Sequence, residues 1–266
     1  MAIDPGDPIT RARAAVQERA ELPGMSLMEH LEELRTRIFW TCGYLLAGFI
    51  VAYIFHVRLY NIVQKPVTDL GLQLNFTHPT DGLNLYLKTS FVGGAIIASP
   101  FILYQVWLFI SPGMYANEKK YVWPFMGATI GLFLSGAWFG YRYVLPQAMV
   151  VLVQGFGKNF NHMIGIEEYT GFFLAVILGL GITFELPILI FFLALFGIVD
   201  AKFLVQHIRY AILAIFIIAA IICPTPDPIG MCLFASPMLV LYLIGVGIAL
   251  LVHPARRKAR EAKKAA

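Results

Sequence analysis

Among the acidic residues Glu185 stands apart. It sits in Thr183-Phe-Glu-Leu-Pro187, within an apolar run over about residues 170–199. A carboxylate at mid-bilayer costs ~2.5–3.5 kcal/mol on insertion scales, so it must be neutral, paired or facing water. Pro187 has no N–H to offer the carbonyl of Thr183, which adds polarity at the same level. That suits a polar, proton-linked spot in a groove; it also suits a neutral glutamate hydrogen-bonded to a neighbouring helix. Two further carboxylates flank apolar runs: Glu33, in His30-Leu-Glu-Glu-Leu-Arg35, and Glu118, in Ser111-Pro-Gly-Met-Tyr-Ala-Asn-Glu118. If the first two runs are neighbours, both lie at one membrane level. Two carboxylates so placed suit bidentate capture of guanidinium groups. Either alone is ordinarily a solvated surface charge.

Other chemistries find no residues. The six histidines are scattered, and no His-Glu-x-x-His, Gly-x-Ser-x-Gly or phosphate-binding loop occurs. No two acidic residues share an apolar run, which leaves an intramembrane hydrolase or ATP-driven pump without support. Cys42, Cys223 and Cys232 lie in or beside apolar runs with no Cys-x-x-Cys, and read as small buried hydrophobes. No metal site and no cofactor are implied. Cationic and aromatic residues do not interleave as single-stranded nucleic acid would require.

The elements that carry these residues are membrane spans. Of the 266 residues 59% are hydrophobic and 14% charged, with mean hydropathy +0.72. Soluble domains carry about 25% charged residues, and a soluble globule could not hide this apolar surface. The expected fold is therefore all-α and polytopic, with lipid as solvent. Six transmembrane helices are predicted, over about 38–55, 89–110, 121–145, 170–199, 210–223 and 229–252. Pro146 is expected to close the third, and Pro237 to interrupt the sixth. Residues 1–25 read as a polar tail without the apolar core of a signal peptide, and 253–266 as a basic tail. Ser26-Leu-Met-Glu29 is a capping box. It opens a stripe of Leu27, Leu31, Leu34 and Ile38, either a short helix lying on the membrane or the polar start of the first span. The fifth run has 14 residues; at ~1.5 Å each it reaches ~21 Å, against a hydrocarbon core of ~30 Å. Gly127-x-x-x-Gly131 and Gly136-x-x-x-Gly140 permit close helix contact on the third span.

Fifteen of the twenty Lys and Arg fall in the N-terminal segment, the 111–120 and 200–209 loops and the C-terminal tail. Both termini are accordingly expected in the cytoplasm (N-in/C-in), with the mixed segments 56–87 and 147–169 facing outward.

The motifs resemble those of the TatC family, the multispanning core of the twin-arginine protein translocase. They are His30-Leu-Glu-Glu33-Leu-Arg35-x-Arg37; Ser99-Pro100-Phe101-Ile-Leu-Tyr104-Gln105-Val-Trp107-Leu-Phe109, running to Pro112-Gly113 and Glu118; Phe184-Glu185-x-Pro187; and Thr225-Pro226-Asp227. Together they cover about residues 25–252. The resemblance implies a receptor and conduit, not an enzyme, for folded proteins whose signal peptides carry consecutive arginines. Glu33 and Glu118 would engage those arginines, with Arg35 and Phe109 in the same region. Glu185 would lie on a concave, glove-like surface, Pro66 in an outward cap and Asp227 at a partner-binding hairpin. The implied partners are the single-span subunits TatA and TatB in an oligomeric complex with membrane lipid, in the bacterial cytoplasmic (inner) membrane. The implied drive is the proton motive force. The family's glutamine shortly after the aspartate of that hairpin is missing here, where Pro228-Ile-Gly-Met231 follows. Two other classes stay open on the residues alone: a proton-coupled small-solute transporter using Glu185, and a non-transporting membrane scaffold.

Overall fold

A computed structural model describes residues 27–110, 122–156, 163–195, 199, 201–223 and 228–265. Among these the chain is helical apart from turns and one two-residue ladder. The helices are α1 (Leu27–Ile54), α2 (His56–Thr68), α3 (Asp81–Ile110), α4 (Val122–Phe139), α5 (Leu145–Val150), α6 (Ile166–Thr183), α7 (Leu186–Leu195), α8 (Ala201–Gln206), α9 (Ile208–Ile222) and α10 (Pro228–Ala265). Strands β1 (Leu74–Asn75) and β2 (Ile164–Gly165) pair in parallel, with Leu74 opposite Ile164.

The amphipathic start and the first span form one element. α1 runs unbroken for 28 residues, ~42 Å at the helical rise, so the stripe after Ser26 is the polar beginning of the span. Ser26 and its capping bond lie outside the described residues. α1 packs along α3 with their backbones in contact at two glycines. A Cβ on Gly48 would stand 2.4 Å from the Gly94 carbonyl oxygen, and one on Gly94 2.5 Å from the Phe49 nitrogen. Small residues at a crossing are how membrane helices gain van der Waals contact when lipid supplies no hydrophobic drive.

Pro146 does not end the third apolar run. The helix widens into a π-type turn over Gly140–Val144, continues through α5 with Pro146 in its first turn, and widens again over Val151–Phe156. Such a turn accommodates the missing N–H without breaking the helix. Gly136 packs against α6, where a Cβ would meet the Leu180 carbonyl at 2.7 Å; at Gly127 and Gly131 it would meet nothing within 4 Å. Of the two glycine pairs, only the second serves packing here.

The fourth run begins at Ile166 and breaks at Phe184–Glu185 before α7. Pro187 lies just beyond the break, and the Thr183 hydroxyl turns back to donate to the Gly179 carbonyl at 2.6 Å, a bond that competes with the backbone ladder. The expected 200–209 loop is largely the short helix α8. α10 passes Pro237 unbroken and carries the basic tail on to Ala265.

Among the described residues four helical stretches are long and apolar enough to cross a bilayer: Met28–Ile54, Asp81–Phe109, Ile166–Ala194 and Pro228–Leu250. α9 is apolar but has only 15 residues, ~22 Å; six crossings require it and α4 to cross as well. The main core lies where α2, α3, α4–α5, α6, α9 and α10 converge, around Val63, Leu145, Val176, Leu180, Phe234 and Met238.

Candidate functional site

At the end of the bundle where α1 begins, α1 and α3 run antiparallel and place their polar residues face to face. On α1, His30, Glu33 and Arg37 recur at helical spacing on one side. On α3, Phe101, Gln105 and Phe109 do the same, one turn apart. The His30 and Phe109 rings stack with centroids 4.5 Å apart, and Tyr44 stacks on Phe101 at 5.3 Å. Between these layers Arg37 spans the interface. Its Nη2 donates to Glu33 Oε1 at 3.1 Å and its Nη1 to Gln105 Oε1 at 3.3 Å.

The Glu33 side chain is 14% exposed. Its second oxygen, Oε2, is buried without a hydrogen-bond partner among the described residues, as is Nε of Arg37. A buried group left unsatisfied costs about 1–3 kcal/mol. The carboxylate therefore has one oxygen engaged and one still able to accept a strong donor. Arg35, two residues from Glu33, points away; its guanidinium lies over the Phe39 ring at 5.7 Å and the residue is exposed. Thus Glu33 and Phe109 belong to one face, and Arg35 to another. Arg37, Gln105 and His30 are the interacting residues that the sequence reading quoted within motifs without giving them a role. The i,i+4 spacing of Glu33 and Arg37 was the available signal. Glu118 and Asp227 lie outside the described residues.

Trp107, two residues before Phe109 and so on the opposite side of α3, is 4% exposed and ties this end to the rest of the bundle. Its indole N–H donates to Thr129 Oγ1 on α4 at 3.3 Å, and its ring meets Phe192 of α7 edge-on at 4.4 Å. α7 is the helix that starts just after Glu185. Glu185 itself sits in the break, its N–H donating to the Ile182 carbonyl at 3.1 Å and its own carbonyl accepting from Leu189 at 2.9 Å. One carboxylate oxygen, Oε1, is buried without a partner among the described residues. Glu185 shares no hydrogen bond or ion pair with Glu33 among those residues.

The opposite end of the bundle carries Pro66, buried in α2 beside Val63 and Val67. There the two mixed segments meet through the β1–β2 ladder. The Tyr169 hydroxyl donates to the Val63 carbonyl at 2.7 Å and the Tyr141 hydroxyl to the Ile62 carbonyl at 3.2 Å. Lys88 pairs with Glu167, which also accepts from Asn84. Asp81 fixes the turn into α3 by accepting, on one oxygen, the backbone N–H groups of Thr77 and His78 and the Thr77 hydroxyl. Cys223 and Cys232 are not joined in a disulfide. Among the described residues no group of three or more His, Cys, Asp or Glu is placed to hold a metal ion.

Comparison with known proteins agrees with this architecture. A profile of the family described as "Sec-independent protein translocase protein (TatC)" matches residues 29–237. The TatC protein of Koribacter versatilis is 52% identical over 97% of both chains. That of Deinococcus radiodurans is 37% identical, covering 85% of this chain and 86% of its own. A crystal structure of the twin arginine translocase receptor TatC superposes with a TM-score of 0.78 at 35% identity, covering 84% of this chain and 99% of that one. A second, of the same receptor in DDM, gives 0.77. With the profile spanning most of the described bundle and a relative matching nearly end to end, the chain belongs to the TatC family of Sec-independent protein translocase subunits.

Proposed function

We propose that this transmembrane translocase subunit is the receptor that binds twin-arginine signal peptides of folded proteins. In this reading it supports their export under the proton motive force, with TatA and TatB, from the bacterial cytoplasmic membrane. It crosses six times with both termini cytoplasmic and presents a concave, glove-like face. Glu33 and Glu118 take the two guanidinium groups, with Phe109 on the same face as Glu33 and Arg35, on another face of α1, in the same cytoplasmic region. Glu185 is a polar station on the concave face, while Pro66 belongs to the outward cap and Asp227 to a partner contact.

The observation that carries this reading is the state of Glu33. It already binds a guanidinium, that of Arg37, and keeps a second, buried oxygen without a partner. Its neighbours Gln105 and Phe109 supply an amide and an aromatic wall. A planar fork of N–H donors suits such a carboxylate; an ammonium does not reproduce it.

The test is binding of a labelled twin-arginine peptide to the purified chain, beside the same peptide carrying two lysines. The arginine peptide binds more tightly, and Glu33→Gln and Glu118→Gln each weaken it about tenfold or more, as expected for a charge-assisted hydrogen bond. Intact binding in both variants removes the site. The solute-transporter reading rests on Glu185, a half-buried carboxylate at a broken helix. pH-dependent solute uptake into proteoliposomes without any signal peptide, lost in Glu185→Gln, would move the assignment there.

A further inference from the structure

Two cavities lie along α2 on its side toward the α4–α5 helix, and they meet at Tyr141. The first, about 350 Å³, is walled by Leu59, Ile62, Val92, Ile96, Trp138 and Phe173 and is almost wholly apolar. The second, about 310 Å³, lies toward the end of α2 and is lined by Lys65, Pro66, Asp69, Tyr141, Arg142 and Pro146. Tyr141 belongs to both, its hydroxyl held on the Ile62 carbonyl. The furrow is thus apolar on one side of a single tyrosine and polar on the other. The π-type turn at Gly140–Val144 sets Tyr141 and Arg142 on this flank, and such turns recur at functional sites.

The change in polarity falls at a recognisable membrane level. Trp138 and Tyr143 are exposed and meet edge-on at 5.6 Å, and Arg142 lies 5.8 Å over the Tyr143 ring. Exposed Trp and Tyr beside Arg or Lys mark the boundary between hydrocarbon and head groups. Trp138 lines the apolar cavity; Arg142, one turn further on, lines the polar one. Among the described residues neither Lys65 nor Arg142 has a carboxylate within 4 Å. Asp69 offsets one of these charges, which leaves the polar cavity cationic.

We propose that this furrow is a binding site for one anionic phospholipid, its phosphate held by Lys65 and Arg142 and an acyl chain laid in the apolar cavity beyond Tyr141. Both volumes fall at the low end of the ~300–1,000 Å³ seen for small-molecule sites, enough for a head group and part of a chain. A free anion would use only the polar half and a neutral hydrocarbon only the apolar half; an anionic lipid uses both. The site involves none of the residues assigned to signal-peptide recognition and does not depend on that assignment.

The experiment is native mass spectrometry of the full-length chain in mild detergent, titrated with phosphatidylglycerol or with phosphatidylcholine of the same acyl chains. Phosphatidylglycerol binds about tenfold more tightly, because it brings a net negative charge to a cationic site, whereas the ammonium of phosphatidylcholine cancels its phosphate. Lys65→Gln with Arg142→Gln brings it down to the level of phosphatidylcholine and leaves the latter unchanged. Both side chains are exposed, so the fold is retained, which an unchanged melting midpoint verifies. Leu134→Trp, which adds bulk to the lining of the apolar cavity, weakens both lipids. Inorganic phosphate in millimolar excess fails to displace phosphatidylglycerol. Equal binding of the two lipids, a preference that survives the double variant, or displacement by phosphate alone would each overturn the proposal, the last by reducing the site to a simple anion site.

Discussion

Arg37 is the residue whose placement most changes the reading of the site. A guanidinium on Glu33 Oε1 at 3.1 Å occupies one of the lone-pair directions that an incoming arginine would use. On the proposed reading Arg37 is an internal competitor, held in place by its bond to Gln105. With Arg37→Gln the carboxylate loses that occupant, and twin-arginine peptide affinity rises about two- to fivefold, the scale of one partly screened ion pair. The lysine peptide gains less, because it lacks the fork. Calorimetric titration of the variant measures this. A loss of affinity as large as that of Glu33→Gln would instead make Arg37 part of the peptide's own contact. The residue types at this end were legible from the chain: a carboxylate flanked by Arg35 and Arg37 ahead of an apolar run. Which arginine meets Glu33 is a matter of helical angle. Position i+4 lies back on the same face while i+2 lies about 200° away, and only a continuous helix from Leu27 makes that angle apply.

Helices were legible wherever apolar runs were long, and their ends were not. Pro146 and Pro237 read as a stop and an interruption because proline breaks helices in water. In lipid the chain keeps helical form, since an opened backbone has no water to turn to, and a widened turn absorbs Pro146. Pro187 differs: the break appears just before it, at Phe184–Glu185, where the Thr183 side chain turns onto its own helix. Glycine pairs show the limit of motif reading most directly. Gly127 and Gly131 matched a packing motif, yet a Cβ on either would meet nothing within 4 Å among the described residues, whereas Gly48 and Gly94, in no such pair, bring two backbones together. Hence Gly94→Ala destabilises the bundle by about 1–3 kcal/mol, the usual cost of forced overpacking, because the atoms in its way are main chain and cannot rotate aside. Gly131→Ala leaves stability unchanged or higher. Thermal unfolding in detergent, followed by intrinsic fluorescence, separates the two. Equal midpoints for both variants would mean that α1 and α3 are not held at this crossing.

At the scale of the molecule, the union of the two mixed segments was beyond the reach of sequence patterns. β1 and β2 are two residues each and about ninety apart, too short for any period, and the bonds that reinforce them are isolated side-chain contacts: the Tyr141 and Tyr169 hydroxyls on carbonyls of α2, and Glu167 with Asn84 and Lys88. Their union nonetheless bears on topology. Segments joined by a ladder must lie on one side of the membrane, as the parity of the spans between them requires. With six spans, the distribution of Lys and Arg predicts which side: fifteen of twenty fall in the termini and the two loops that parity puts with them, the charge bias expected of cytoplasmic segments. Gln73 and Gln154, one in each segment, are both exposed. In a variant with Cys42, Cys223 and Cys232 replaced by alanine, Gln73→Cys and Gln154→Cys therefore react alike with a membrane-impermeant maleimide added to intact cells. A cysteine placed at Lys264 reacts only after lysis. Labelling of one glutamine position without the other would contradict the ladder. Labelling of both only after lysis would keep the ladder and invert the orientation, placing Glu33 outside, where no cytoplasmic signal peptide could reach it.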